Sequence, residues 1–154
     1  VICAVSGRYR EAEPLMRRAL AIAENQLGPK HPETANYAAN LGGLYQRNGR
    51  SDQAEPLLRR ALVIREQVLG AEHPSVATVL RELAVVYVSR KQYEEAAPLL
   101  DRVLAIQEKA LSPAHPTLAD TLAVYGSVLR KLKRKAEAEE VERRVKAFAA
   151  KQAR

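Results

Sequence analysis

Apolar residues recur along this chain at intervals of three and four. Within residues 49–90, Ala54, Leu57, Leu58, Ala61 and Leu62 share one helical face, followed by Val68 and Leu69. After a short polar break, Val76, Val79, Leu80, Leu83 and Tyr87 repeat the spacing. A turn of α-helix takes 3.6 residues, so this pattern predicts two amphipathic helices. The breaks are brief. In "GAEHP" (70–74), Gly70 is placed to end one helix and Pro74 to start the next. In "RNGRS" (47–51), Gly49 makes a tight turn. Joints this short make consecutive helices antiparallel neighbours.

The pattern is written almost four times. His-Pro pairs at 31–32, 73–74 and 115–116 stand 42 residues apart. Ala12, Ala54, Ala96 and Ala138 keep the same interval, as do Pro14, Pro56 and Pro98, and Leu27, Leu69 and Leu111. The chain therefore divides into repeats at 7–48, 49–90 and 91–132, with a partial copy at 133–154. "VICAVSG" at the start aligns with "VVYVSRK" (85–91), so residues 1–6 are expected to be the tail of a truncated helix. Cys3 then falls at the Tyr87 position and is expected to be buried. The partial copy is expected to be a capping helix, with Ala138, Val141, Val145 and Phe148 apolar on one face and Glu139 and Glu142 among its charges. The three prolines fall near the second turn of the longer helix. Either that helix starts a residue or two later, or its first turn is bent.

These residues resemble the tetratricopeptide repeat (TPR). That family asks for Leu-small-x-x-Tyr in a first helix, a small residue nine positions later and another seven further on. Leu41, Gly42, Tyr45, Ala54 and Ala61 match all five positions. Leu83, Ala84, Tyr87 and Ala96 match four, with Val103 at the fifth. Gly126 and Ala138 match in the next copy, where Tyr125, Leu129 and Val145 depart. The 42-residue unit and "EAEPLLRRALVIREQVLGAEHP" resemble the kinesin-light-chain type. The resemblance covers essentially the whole chain. It implies an all-α solenoid, a right-handed superhelix of antiparallel helix pairs. Small residues at 42, 54 and 61 would let two helices approach closely, with Tyr45 and Leu58 filling the space between. Repeats of this kind bury a face only by stacking.

The resemblance also implies where a ligand would sit. First helices of the family line an inner groove that receives peptides. The positions carried over are Asn36, Ala39, Gly43, Gln46 and Arg47, then Thr78, Arg81, Val85, Val88 and Ser89, then Asp120, Ala123, Ser127, Arg130 and Lys131, flanked by Asn40, Glu82 and Val124. Ala39, Gly43 and Ala123 would leave room for a ligand. Arg47, Arg81, Arg130 and Lys131 would favour an acidic peptide. The bland alternative is a set of solvated helix faces. The family's chaperone-tail clamp wants Lys and Asn where Ala39 and Gly43 stand, so that ligand is not inherited.

Composition narrows the rest. Of 154 residues 47% are hydrophobic, which supports a buried core. One cysteine excludes an internal disulfide and fits a reducing, cytoplasmic setting. No apolar run approaches the roughly 20 residues that span a bilayer. The chain does not begin with Met, and a fragment of a larger protein is expected. Net charge is +7, and residues 130–154 hold ten basic and four acidic side chains. "RKLKRK" (130–135) could attract nucleic-acid phosphates, but no aromatic interleaves to stack on bases. A solvated polar end is the simpler reading.

The only three histidines, His31, His73 and His115, occupy equivalent loops. Packed helix axes lie roughly 8–10 Å apart, whereas nitrogens sharing a zinc ion sit about 2.0–2.1 Å from it. Histidine bonding backbone in each turn is the expectation, with no metal and no cofactor. No catalytic motif or phosphate loop appears, so no enzymatic activity is expected. The function expected is non-catalytic protein or peptide binding. The alternatives are an oligomerisation or spacer element using an open N-terminal end, and nucleic-acid association through the basic C-terminal end.

Overall fold

A computed structural model describes residues 2–110 and 115–152, without the side chains of 2–8, 148, 151 and 152. Cys3, Phe148 and Leu111, to which the sequence assigns places, have side chains outside the described residues. Seven α-helices follow one another: α1 (Ile2–Leu27), α2 (Pro32–Arg47), α3 (Ser51–Leu69), α4 (Pro74–Ser89), α5 (Tyr93–Ala110), α6 (Pro116–Lys131) and α7 (Lys135–Gln152). There is no strand among the described residues. The chain forms two compact units, Val1–Ala71 and Glu72–Arg154. The first holds α1–α3 and the second α4–α7.

In the first unit α2 packs on both α1 and α3. Ala38, Leu41, Leu44 and Tyr45 of α2 are buried, as are Ala54, Leu58 and Ala61 of α3. The closest approach is at Gly42. A Cβ built there would lie 2.8 Å from Leu58 Cγ and 2.9 Å from its Cδ2. Hydrogen in place of a methyl is therefore what seats Leu58, whose burial stabilises by about 1.5–3 kcal/mol. In the second unit α4 packs on α5, α5 on α6 and α6 on α7. Val79, Leu80, Leu83, Leu100, Val103, Leu104, Leu122 and Leu129 form the core. A Cβ built at Gly126 would meet Val141 Cγ1 at 3.3 Å. Tyr125 and Leu129, which depart from the family pattern, are both buried.

The His-Pro joints are helix N-caps. His31, His73 and His115 sit just before α2, α4 and α6 with extended backbone. Each Nδ1 accepts from the N–H two residues on: Glu33 at 3.2 Å, Ser75 at 3.1 Å and Thr117 at 3.3 Å. The proline that follows has no N–H to orphan and is preset to helical φ. Gly70 closes α3 at φ 89°, ψ 153°, a region open to glycine. In the other joint Gly49 takes φ 73°, and its equivalents Lys91 and Lys133 adopt φ 60° without glycine. The turn is thus imposed by the packed pair, at some cost to a lysine.

Two expectations meet a different structure. α1 runs unbroken through Gly7, where the repeat alignment places a joint. An interior glycine costs only about 1 kcal/mol against alanine, and the helical ladder continues across it. Of the two readings of the prolines, the later helix start does not hold. α3 begins at Ser51 and α5 at Tyr93, so Pro56 and Pro98 are the sixth residue of each. All three prolines are exposed, so each ring faces water rather than the packed interior.

Ion pairs add a second register. Arg60 of α3 bonds Glu24 of α1 and donates to Pro29 O at 2.9 Å. Arg144 of α7 bonds Glu108 of α5, the same pair two repeats on. Around Tyr45 the hydroxyl donates to Glu13 Oε1 (3.1 Å) and accepts from Arg17 Nε (2.7 Å). The Arg50 guanidinium lies over the ring, 4.5 Å from its centroid, and bonds Glu13. That Arg50 bond holds the Glu13 carboxyl below the usual carboxylate range against partial desolvation, with the Tyr45 hydroxyl helping. Bonds from Lys109 and Arg134 do the same for Glu72 and Glu137.

The caps and the carboxylates can each be tested. Replacing a capping side chain by alanine costs about 1 kcal/mol. Urea denaturation of His73→Ala should show that loss, and His73→Asn should restore it. An unchanged midpoint for the alanine variant would refute the capping role. A carboxyl whose folded pKa is depressed stabilises above its unfolded pKa and loses that contribution as pH falls through the folded value. Stability should therefore decline between about pH 5 and pH 3, and less steeply in Glu13→Gln. Parallel declines for the two proteins would contradict this.

Candidate functional site

The residues assigned to a groove lie on α2 in the first unit and on α4 and α6 in the second. On α2, Asn36, Asn40 and Arg47 are exposed and Gln46 is half-buried. Ala39 and Gly43 are buried, which corrects the expectation that they leave room for a ligand. The space beside them is already packed. Asn36 Oδ1 accepts from Arg65 of α3 at 3.0 Å, so its oxygen is already engaged.

On α4, Thr78, Arg81 and Ser89 are exposed, while Glu82, Val85 and Val88 are half-buried. Thr78 Oγ1 turns back to Pro74 O (3.4 Å) and Ser89 Oγ to Val86 O (2.7 Å). On α6, Asp120, Ala123, Val124, Ser127, Arg130 and Lys131 are exposed. Arg130 is committed to Glu142 of α7, with Nε donating at 2.7 Å. Glu142 stands where the earlier repeats have Leu58 and Leu100, so an ion pair replaces an apolar contact. The expected positive stripe is therefore weaker than its sequence, since Glu142 offsets Arg130 and Asp120 lies on the same helix. Arg81 makes no ion pair with any described residue.

Two of the clefts that open in the second unit each hold two or more of these positions. One, of about 240 Å³, gathers Thr78 and Arg81 with Ala77 of α4, Ile106, Gln107 and Ala110 of α5, and His115 and Thr117 beside the start of α6. The other, of about 300 Å³, lies between α6 and α7 and brings Ala123, Ser127 and Arg130 against Val141, Glu142 and Val145. First-helix positions thus supply one wall of each cleft. The sequence reading missed the opposite walls. Gln107 carried a signal: it continues the buried stripe Leu100, Val103, Leu104 with a polar residue. Its Oε1 is buried and has no hydrogen-bond partner among the described residues.

The basic run at 130–135 is partly neutralised. Arg134 bonds Glu137 at 2.7 Å and Arg130 bonds Glu142. Lys131, Lys133 and Lys135 remain exposed. No group of three or more His, Cys, Asp or Glu that could hold a metal ion occurs among the described residues. No described helix is long and apolar enough to cross a membrane.

A family model described as tetratricopeptide repeat matches residues 1–67, 37–109 and 75–151, overlapping stretches that cover nearly the whole chain. No curated protein matches the sequence. Among solved structures, a singly substituted form of nearly identical TPR-like repeats from a Podosopora anserina protein described as a kinesin light chain is 32% identical, with a TM-score of 0.87 over 97% of this chain and 70% of that one. The form without that substitution is likewise 32% identical, with a TM-score of 0.76 over 97% and 71%. BtubC (BKLC) from P. vanneervenii is 25% identical, with a TM-score of 0.85 over 96% of this chain. The chain spans 59% of the length of that last protein.

Proposed function

The chain belongs to the tetratricopeptide repeat family, of kinesin-light-chain-like type, whose helix pairs are protein-interaction scaffolds, and we propose that it binds the acidic segment of a protein partner along the α4 and α6 faces of its second unit. The observation that carries this reading is Arg81. Its guanidinium stands exposed at the rim of a cleft whose walls include Ala77, Ile106 and Ala110. A cation beside an apolar recess suits a peptide that pairs a carboxylate with a buried neighbour. Lys131 adds positive charge on α6. Arg130 contributes less, because a ligand carboxylate competes with Glu142 for it.

Selection from a random peptide display library tests the proposal. Acidic sequences should be enriched, and Arg81→Glu should abolish the enrichment. Arg130→Glu should weaken it only modestly. Binding of selected peptides should fall with salt, since exposed charges are screened within about 8–10 Å at physiological ionic strength. No enrichment, or the same peptides recovered with Arg81→Glu, would overturn the assignment.

A further inference from the structure

Residues 42 positions apart occupy equivalent places in successive repeats, and at one such place a buried leucine has been lost. In the first unit Leu58 of α3 is fully buried and comes within 2.8 Å of where a Cβ on Gly42 would stand. In the second unit Leu100 of α5 and Ala84 of α4 hold these positions, and both are fully buried. The α6–α7 pair keeps the glycine, as Gly126, but carries Glu142 in place of the leucine. Apart from α6 itself, only Val141 among the described residues comes within 4 Å of a Cβ built at Gly126. A carboxylate is costly to bury without a partner, and Glu142 is held instead by Arg130, an exposed residue. One turn on, the change is repeated. Leu104 of α5 is 3% exposed, whereas its equivalent Lys146 is exposed.

These two replacements coincide with the cleft of about 300 Å³ between α6 and α7, which both Glu142 and Lys146 line. Leu122, Gly126, Val141 and Val145 give it apolar walls. Its volume lies at the lower end of the roughly 300–1,000 Å³ of ligand pockets, so it suits a side chain rather than a large cofactor. The chain's own repeats show which side chain, since Leu58 and Leu100 fill the equivalent place. Alanine would leave most of the space empty and forfeit the contacts that burial supplies. Arg130 and Lys146 stand at the cleft against one carboxylate, Glu142. Two cations to one anion favour acidic residues beside the entering side chain.

We infer that this cleft seats the side chain of a leucine in the bound acidic segment. The partner supplies from outside the leucine that the α6–α7 pair lacks, and its flanking carboxylates face Arg130 and Lys146. The inference rests on the proposed binding role of the α6 face and adds an apolar requirement to it.

Nuclear magnetic resonance titration of the full chain tests it, following the methyl resonances of Val141 and Val145. The probes are N-acetylleucine and N-acetylalanine, which share one carboxylate and differ by an isopropyl group. N-acetylleucine should shift those methyls and bind about tenfold more tightly, as burial of three further carbons implies. Glu142→Leu should fold at least as stably as the parent, refill the cleft from within and bind the two probes equally. Equal binding of both probes by the parent overturns the inference, as does a leucine preference that survives Glu142→Leu. If display yields acidic peptides that depend on Arg81 while the leucine probe shows no preference, the cleft assignment falls and the wider reading survives. If display yields none and neither probe binds, both fall.

Discussion

The structure depends on how closely two helices of a pair can approach. Gly42 supplies no side chain where α2 meets α3, and Leu58 occupies the space left. Ala84 and Leu100 hold the equivalent places between α4 and α5, and both are buried. Gly126 does the same against Val141 of α7. Packed interiors tolerate little change in volume, so this small-against-large register fixes which faces of each helix are buried. It thereby fixes which faces are left for a partner.

Much of this was legible in the sequence because it rests on local chemistry repeated in register. Apolar spacing placed the helix pairs from Pro32 onward, Gly49 and Gly70 placed turns with positive φ, and the His-Pro pairs placed the joints. What the histidines do needed coordinates, since Nδ1 caps a helix only with extended backbone at the cap. The unbroken α1 was not legible. Alignment carries a joint to Gly7, but a turn forms only where packing makes it better than continuing the helix. The Arg60–Glu24 and Arg144–Glu108 pairs were also hidden, because they join residues in two different helices.

The candidate site was legible on one side only. Family positions supplied Thr78, Arg81, Ala123, Ser127 and Arg130, which do line clefts. They also supplied Ala39 and Gly43, which are buried. Helical periodicity reports which face a residue shares, not whether a neighbour already covers it. Charge was overread for the same reason, since Glu142 lies 12 residues from the arginine it neutralises. The polar break in the α5 stripe at Gln107 was visible, but that its Oε1 is buried with no partner among the described residues was not.

The central claim is that close approach at the small-residue register holds each pair together. Comparing Gly42→Ala with Gly126→Ala by chemical denaturation tests it most directly. Both substitutions gain about 1 kcal/mol of helix propensity. The added methyl meets Leu58 Cγ at 2.8 Å in the first and Val141 Cγ1 at 3.3 Å in the second. Overpacking costs about 1–3 kcal/mol, so Gly42→Ala should be less stable than the parent and less stable than Gly126→Ala. Equal stabilisation by both substitutions would contradict the account.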